Sequence, residues 1–337
     1  MTAPLLRMVG MSVELSAGMT QVDIVSDVDL ELNRGERLGI VGESGSGKSM
    51  TALAVMGLLP QRMRVRGELM FDGRNLADLP EAEFCRYRGR RIAMIFQEPM
   101  TALNPVKSIG AQIAEGRRLH FGETRADAEK KARSLLDRVG LPAPRFNLDL
   151  YPHQLSGGQR QRVMIAMAIA CEPDLLIADE PTTALDVTVQ AQILDLLDDL
   201  IEDTGTALML ITHDLGVVSE MTDRIAVMYA GRVIETGRTD DVFARMAHPY
   251  ARGLFAASPH GAALAPRQIG GRPRLNAIPG IVPDPFARPD HCSFAERCAF
   301  VQPDCRRAIP PLDLIDTDRN VEHRAACFHP RERMVAP

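Results

Sequence analysis

Residues 42–49 read GESGSGKS and follow a short apolar stretch, RLGIV (Arg37–Val41), that has the length of a β-strand. The residues after the glycines, 48–59, are helix formers and stop at Pro60. A strand, a loop of the pattern G-x-x-x-x-G-K-S/T and a helix are the context in which such a loop wraps phosphate groups. The sequence therefore predicts an α/β fold with a phosphate-binding loop.

The composition is that of a globular protein large enough for two folding units. The chain has 337 residues, of which 45% are hydrophobic and 25% charged. A net charge of −5 without a basic run excludes a nucleic-acid partner. The apolar runs are far shorter than the roughly 18–20 residues that span a bilayer. No signal peptide is evident, so we expect a cytosolic protein whose six cysteines do not form structural disulfides.

Strands and helices alternate along most of the chain. Residues 5–32 alternate apolar and polar side chains and predict antiparallel strands. Later strands separated by helices predict a mostly parallel sheet, and the helix-rich segment 98–170 predicts a helical subdomain. The predicted domains are residues 1–257, a linker at 258–278 and a cysteine-rich domain at 279–337.

The phosphate loop and a second motif, LLIADE, contain the residues that are predicted to bind phosphate and Mg²⁺ and to activate water. Glycines 42, 45 and 47 let backbone N–H groups converge on phosphate oxygens. Lys48 is expected to pair with the β- and γ-phosphates, and the Ser49 hydroxyl to bind Mg²⁺. The sequence LLIADE ends a predicted buried strand with Asp179, a Mg²⁺ ligand, and Glu180, the general base that polarises the attacking water.

A third motif, LSGGQ (155–159), begins a predicted helix about a hundred residues after the loop. Ser156 is expected to cap the helix, and Gly157 and Gly158 leave backbone N–H groups accessible beside Gln159. Such a helix end is a second surface that binds phosphate. Because one chain already has its own phosphate loop, we expect ATP to be shared between two chains.

These motifs, in this order, resemble the ATP-binding subunits of ABC transporters over residues 5–257. The resemblance implies an ABC-type P-loop ATPase with a RecA-like mixed sheet core, an antiparallel β subdomain, a helical subdomain and a small cysteine-rich C-terminal extension. It implies that Gln97 senses the γ-phosphate and binds Mg²⁺, that His213 contacts the γ-phosphate, and that the 184–186 segment crosses a dimer interface. The nucleotide-binding set that it implies is Gly42, Glu43, Ser44, Gly45, Ser46, Gly47, Lys48, Ser49, Met50, Ser156, Gly157, Gly158, Gln159 and Asp186.

Two further stretches are similar to the oligopeptide/dipeptide and nickel uptake subfamily: FQEPMTALNP (96–105) and HPYARGL (248–254). The resemblance implies a peripheral subunit on the cytoplasmic face of the cell membrane that powers peptide import. Its partners are two transmembrane permease subunits, a second ATPase chain in a heterodimer or a homodimer, and indirectly an extracytoplasmic solute-binding protein. Nickel, glutathione or an oligosaccharide are alternative substrates. Leu15 stands where the family usually offers an aromatic residue to adenine.

Four cysteines lie close together near the C-terminus. Cys292, Cys298, Cys305 and Cys327 are separated by five, six and twenty-one residues. Their grouping favours a soft-metal site, with iron–sulfur and zinc equally compatible. The resemblance to the subfamily's C-terminal extension favours a [4Fe–4S] cluster over Zn²⁺. Four buried free thiols in a small domain are the alternative to a metal site. We expect Cys85 and Cys171 to be packing residues. The flanking histidines could be spare ligands, but we expect surface or supporting groups at His291, His323 and His329.

Two other classes of function fit part of the sequence. A non-transport ABC ATPase acting on DNA or ribosomes usually has two ATPase halves or a coiled-coil insert, and this chain has neither. A regulatory metal or redox protein would use the cysteine cluster as its function, but it would not need the complete set of ATPase motifs. An importer motor is therefore the leading hypothesis.

Overall fold

The computed structural model describes residues 3–18, 20–98, 102–183, 185–258, 277–315 and 322–331. Most of the predicted linker and Ala184 lie outside these residues. The chain forms two compact units, residues 1–32, 37–77 and 210–337 in the first and residues 33–36 and 78–209 in the second. The domain boundaries expected from the sequence stay predictions.

The first unit contains a four-stranded antiparallel sheet in the order β2-β1-β4-β5. Alternation of apolar and polar side chains over residues 5–32 produces its two long strands, with Leu6 opposite Leu32. The predicted antiparallel strands are thus confirmed. Their bounds are β1 (Leu6–Ala17), β2 (Thr20–Leu32), β4 (Met63–Phe71) and β5 (Arg74–Asn75).

The larger sheet of the first unit is mixed, with the order β11-β12-β10-β9-β3-β8. The central pair β3–β9 is parallel, whereas β9–β10 is an antiparallel hairpin. Strands β11 and β12 come from the cysteine-rich extension and add to the edge of this sheet, next to β10. The bounds are β3 (Arg37–Val41), β8 (Ala207–Thr212), β9 (Arg224–Tyr229), β10 (Arg232–Arg238), β11 (Asp313–Leu314) and β12 (Arg324–Ala325).

Helices of the first unit follow these strands and bury apolar faces. The core beside β9 includes Tyr229, Tyr250 and, from the extension, Phe294. Strand β10 and the two helices after it had no counterpart in the sequence-based prediction. The helices are α1 (Lys48–Val55), α7 (Leu215–Met221), α8 (Thr239–Arg245) and α9 (Pro249–Ala256).

The strands of the second unit are arranged in the order β8-β7-β6. Residues 207–209 of β8 belong to this unit, and residues 210–212 belong to the first. β6 and β7 pair in parallel, with Ile92 opposite Leu175. Every residue of β7 is buried, as expected for a strand covered on both faces. The bounds are β6 (Ile92–Ile95), β7 (Leu175–Asp179), α2 (Glu81–Phe84), α3 (Ile109–Phe121), α4 (Arg125–Arg138), α5 (Gly157–Ala168) and α6 (Val187–Thr204).

Candidate functional site

The phosphate loop joins β3 to α1 and needs its glycines. The φ angles of Gly42, Gly45 and Gly47 are 156°, 78° and 103°, which L side chains rarely adopt. A Cβ atom on Gly42 would lie 2.2 Å from the carbonyl oxygen of Met228 and 2.7 Å from Ser46 Oγ. Space as well as backbone conformation therefore requires glycine at the first position of the loop.

Lys48 holds the loop in a closed curve. Its side chain is buried, and Nζ donates hydrogen bonds to the carbonyl oxygens of Gly42 (2.8 Å) and Glu43 (3.0 Å) and to Ser46 Oγ (3.4 Å). A buried ammonium group inside a glycine loop at a helix N-terminus attracts anions. The other members of the predicted set are the exposed Ser44 and Gly45 and the half-buried Ser49 and Met50.

The second residue of the loop, Glu43, is bound by the C-terminal part of the chain. Its backbone N–H donates to the hydroxyl oxygen of Tyr250 at 2.8 Å. Its carboxylate accepts two hydrogen bonds from the Arg297 guanidinium, at 2.9 Å and 3.1 Å. Neither partner residue has a role that was predicted from the sequence. Only the HPYARGL motif, which contains Tyr250, signalled that this region matters.

Tyr250 reaches the loop because of the two residues before it. His248 caps α9, with Nδ1 accepting from the Tyr250 N–H at 3.0 Å, and Pro249 occupies the first helical position. Burial lowers the pKa of His248 to about 3, so the ring is neutral and acts as an acceptor. The motif is thus a helix start that places a tyrosine hydroxyl on the phosphate loop.

In the second unit, the two acids of LLIADE have different surroundings. Asp179 ends β7 and is 5% exposed. Glu180 follows with φ 46°, a left-handed conformation that costs energy for a non-glycine residue and occurs often at functional sites. Its Oε2 accepts from Gln97 Nε2 at 3.0 Å and from Thr183 Oγ1 at 2.9 Å. The structure thus brings the two predicted residues Glu180 and Gln97 into hydrogen-bond contact. Thr183 is a further partner of Glu180 that had no predicted role.

The LSGGQ motif begins α5 as a reciprocal cap. Ser156 Oγ accepts from the Gln159 N–H at 3.4 Å, and Gln159 Oε1 accepts from the Ser156 N–H at 2.9 Å. The predicted helix cap is confirmed. Ser156 and Gly157 are exposed, whereas a Cβ on Gly158 would lie 2.7 Å from Val189 Cγ1. The motif therefore presents a helix N-terminus to solvent, and its second glycine allows close packing against α6.

The remaining predicted residues lie at a helix start, in a loop and on a strand. Asp186 caps α6 by accepting from the Val189 N–H at 3.0 Å, and the adjacent Val187 is 82% exposed. His213 is exposed between β8 and α7. Leu15 is half-buried on β1. Its relation to adenine stays a prediction.

The four clustered cysteines line one small cavity of the first unit, together with apolar side chains such as Phe294, Phe300 and Phe328. Burial raises the pKa of Cys292 and Cys298, and raises that of Cys327 to about 11. All six cysteines are free thiols in this structure.

Among the described residues, the group whose metal-ligating atoms all lie within 4.8 Å of one another is Asp304, Cys305 and His329. Thiolates are ligands of both Zn²⁺ and iron–sulfur clusters. Four cysteines on the lining of one cavity are therefore a donor set that fits either group, and the choice between them stays a prediction.

One expectation about a single residue is wrong. Cys85 is exposed at the end of the short helix α2 and is not a packing residue, whereas Cys171 is buried as expected. His323 is buried, with its Nε2 2.7 Å from Glu235 Oε1, so of the two expected places it does not take the one on the surface. The two other histidines lie beside cluster cysteines: His329 Nε2 is 2.8 Å from Asp304 Oδ2, and His291 Nδ1 is 3.3 Å from the Cys292 carbonyl oxygen.

Glu235, the partner of His323, has no exposed surface. Its two carboxylate oxygens accept from the backbone N–H groups of Ala247, at 2.6 Å, and His248, at 2.8 Å. One buried acid on β10 thus joins the start of α9 to the cysteine-rich extension.

Comparison with known proteins agrees with this geometry. The family model described as "ABC transporter" matches residues 25–183, and the model described as "Oligopeptide/dipeptide transporter, C-terminal region" matches residues 234–305. A Sinorhizobium fredii protein named "Probable peptide ABC transporter ATP-binding protein y4tR" is 51% identical over 90% of this chain and 89% of its own. The chain belongs to the ABC transporter family of ATP-binding proteins. It is an ABC ATPase, and ATP and Mg²⁺ are its cofactors.

Other members extend the comparison to full length and to solved structures. A Brucella melitensis relative that is named for peptide import is 45% identical over 98% of both chains. The dimeric ATP-binding cassette MJ0796 bound to ADP and Pi has a TM-score of 0.62 at 29% identity, covering 69% of this ABC ATPase and 98% of that chain. The cbiO1 protein of Clostridium perfringens has a TM-score of 0.61 at 27% identity, covering 72% and 92%. The predicted fold class is confirmed. Within the described ranges, no helix of this ABC ATPase is both long and apolar enough to cross a membrane.

Proposed function

We propose that this ABC ATPase powers the import of peptides through a membrane transporter complex. The observation that carries the proposal is the match of residues 234–305 to the oligopeptide/dipeptide transporter C-terminal region. Relatives named for peptide transport support it. In this proposal the chain is a peripheral subunit on the cytoplasmic face of the cell membrane. It works with two transmembrane permease subunits, a second ATPase chain and, indirectly, a solute-binding protein that delivers peptide.

The residues that we propose for ATP hydrolysis lie in both units. The phosphate loop and Lys48 bind the β- and γ-phosphates, with Ser49, Gln97 and Asp179 as the Mg²⁺ ligands. Glu180 is the general base, and its hydrogen bonds from Gln97 and Thr183 support that role, because they orient the carboxylate for a water molecule. His213 contacts the γ-phosphate.

We further propose that two ATPase chains share two ATP molecules, each contributing its phosphate loop to one and its LSGGQ helix to the other. The exposure of Ser156 and Gly157 at the start of α5 supports this, because these groups are free to meet a second chain. Asp186 and the exposed Val187 would stand at the same interface. The similar MJ0796 cassette is dimeric. We expect a heterodimer with a related ATPase.

We propose a [4Fe–4S] cluster on Cys292, Cys298, Cys305 and Cys327, with Zn²⁺ as the alternative. The cavity that the four cysteines share supports a metal group at this place. Anaerobic purification followed by iron, zinc and sulfide analysis tests it, with Cys298→Ser as the disrupted variant and Cys171→Ser as the matched control. Stoichiometric iron and sulfide that are lost only in Cys298→Ser support the cluster. Metal-free protein would contradict it.

The import proposal is tested by isolating the complex. Tagged Glu180→Gln protein, which should bind ATP without hydrolysing it, is pulled down from detergent-solubilised membranes with ATP, and its partners are identified by mass spectrometry. Two multi-span proteins and a second ATPase are expected. Uptake of labelled dipeptide, nickel or glutathione by cells with and without the gene then identifies the substrate. Recovery of the chain with ribosomes or DNA instead would overturn the transport proposal.

A further inference from the structure

Glu43 creates an electrostatic problem in the phosphate loop. The loop attracts anions through its N–H groups, Lys48 and the N-terminus of α1. A carboxylate at the second position, GESGSGKS, adds a negative charge at the same place, where it repels a polyphosphate. An uncompensated Glu43 would therefore weaken the binding of the nucleotide that the loop is built to hold.

Arg297 supplies the compensating charge. Its Nη1 lies 2.9 Å from Glu43 Oε2 and its Nη2 lies 3.1 Å from Oε1, the two-bond geometry that fits a guanidinium to a carboxylate. The Arg297 side chain is 6% exposed and that of Glu43 is 25% exposed, so bulk water screens the pair little. The pair joins residues that are 254 positions apart in the sequence.

Several other contacts fix the guanidinium at this place. Nε donates to the Pro279 carbonyl oxygen at 2.8 Å, and Nη2 to that of Ile278 at 3.3 Å. The group also lies 5.7 Å from the centre of the Tyr229 ring and 5.9 Å from that of Phe294. Burial lowers the pKa of Arg297, but its hydrogen bonds to Glu43 and Tyr229 raise it more. The residue is therefore a permanent cation held by the extension.

We propose that Arg297 is a positioning residue for ATP binding, which neutralises Glu43 and holds its side chain so that the phosphate loop accepts a polyphosphate. The proposal rests on the nucleotide site proposed above. Arg297 ends a single helical turn, Ala295–Arg297, that lies between Cys292 and Cys298. The turn that places the guanidinium is thus also the turn that places two of the four clustered cysteines. The extension is in this way a component of the nucleotide site.

The charges of Glu43 and Arg297 predict whether each substitution weakens or restores the binding of ATP. Arg297→Gln keeps an amide donor at the place of Nε, which bonds the Pro279 carbonyl oxygen, but leaves the Glu43 charge without this cation. The dissociation constant for ATP should therefore rise about tenfold, a common size of coupling between two sites. Adding Glu43→Gln removes that charge, so the double variant should return to within about threefold of wild type. Arg297→Lys retains the charge and should lose less than Arg297→Gln.

The measurement is an equilibrium titration of the full chain with trinitrophenyl-ATP, with ATP as competitor, at low and high salt. The Arg297→Gln defect should shrink at high salt, because screening weakens repulsion. The matched control is Arg306→Met, which removes an exposed arginine of the same extension that pairs with Glu296. It should leave ATP binding unchanged. Iron and zinc content is measured in every preparation, so that a change in the cysteine cavity is recognised.

Two results would overturn the proposal: wild-type affinity in Arg297→Gln, or a double variant as weak as Arg297→Gln. A role in stability alone predicts the second result, because the double variant also lacks the ion pair. If Arg297→Gln does not fold, the proposal is tested with the double variant Glu43→Gln/Arg297→Gln. A double variant that folds and binds ATP supports charge neutralisation, and one that does neither contradicts it. A wild-type chain that does not bind the nucleotide would instead refute the proposed nucleotide site.

Discussion

Glu43 in the first unit and Glu180 in the second both stand just beyond the carboxyl end of a buried parallel strand, β3 and β7, respectively. Glu43 meets a guanidinium that cancels its charge. Glu180 accepts hydrogen bonds from an amide and a hydroxyl, donors that orient its carboxylate. In the roles proposed above, the carboxylate beside the phosphate loop is neutralised, whereas the general base polarises a water molecule. The same residue type is thus proposed for two roles, and the hydrogen-bond partners described here differ between them.

The largest effect is expected from removing the charge of Glu180. Glu180→Gln should lower the rate of ATP hydrolysis by about 10²–10⁴-fold, the usual contribution of a general base, while ATP binding is retained. Single-turnover hydrolysis and nucleotide titration measure the two quantities separately. Glu129→Gln, which removes a half-buried carboxylate that pairs with Arg125 on α4, is the control and should hydrolyse ATP normally. Normal turnover in Glu180→Gln would show that another group is the base.

On the Glu43 side, the next largest effect should come from Tyr250→Phe. The substitution keeps the buried ring but leaves the Glu43 N–H without its acceptor, which should lower the free energy of unfolding by about 2 kcal/mol. Chemical denaturation measures this loss. Tyr151→Phe, at an exposed tyrosine, should change stability little. A Tyr250→Phe variant as stable as wild type would mean that water replaces the hydroxyl.

Thr183→Val tests the hydroxyl that orients Glu180. Valine has nearly the same shape but cannot donate, so hydrolysis should slow about tenfold, which corresponds to one ordinary hydrogen bond of about 1.4 kcal/mol. The affinity for ATP should not change. Pre-steady-state hydrolysis resolves the rate. A rate equal to that of the wild type would assign the orientation of Glu180 to Gln97 alone.

The smallest effect concerns His248, which caps the helix that brings Tyr250 to Glu43. Its pKa is lowered to about 3 in the folded state, so below its unfolded pKa of about 6.5 the unfolded chain binds a proton that the folded chain does not. The contribution of His248 is complete above pH 6.5 and is lost as pH falls towards 3. Between pH 6.5 and 5.5 the loss should be about 1 kcal/mol.

Denaturation at several pH values, compared between wild type and His248→Asn, isolates this contribution. Asparagine also caps helices and does not titrate, so the variant should lack that part of the acid sensitivity. His153→Asn, at an exposed histidine, should retain it. Equal pH dependence in the wild type and His248→Asn would contradict the assignment.

Local patterns in the sequence predicted most strands and helices and the places of the motif residues. The local structure of the three motifs could be predicted because each contains its own turn, strand end or helix cap: GESGSGKS, LLIADE and LSGGQ. The pairing of Glu43 with Arg297 and Tyr250 could not be predicted, because it depends on how residues more than 200 positions apart fold together. Cys85 was misjudged for the same reason: burial is a property of the tertiary structure, and residue type indicates it only weakly.

Glu235 has a consequence for which fragments of this chain can exist. Its carboxylate needs His323 from the extension as well as two N–H groups before α9. A fragment that ended near residue 258 would keep the acid and lose the histidine, and it would also uncover the Tyr229 and Tyr250 rings that pack against Phe294. In this chain the nucleotide-binding part therefore relies on the cysteine-rich end for the partner of one buried acid and for the cover of two buried tyrosine rings. A chain truncated in this way should be less stable than the whole protein.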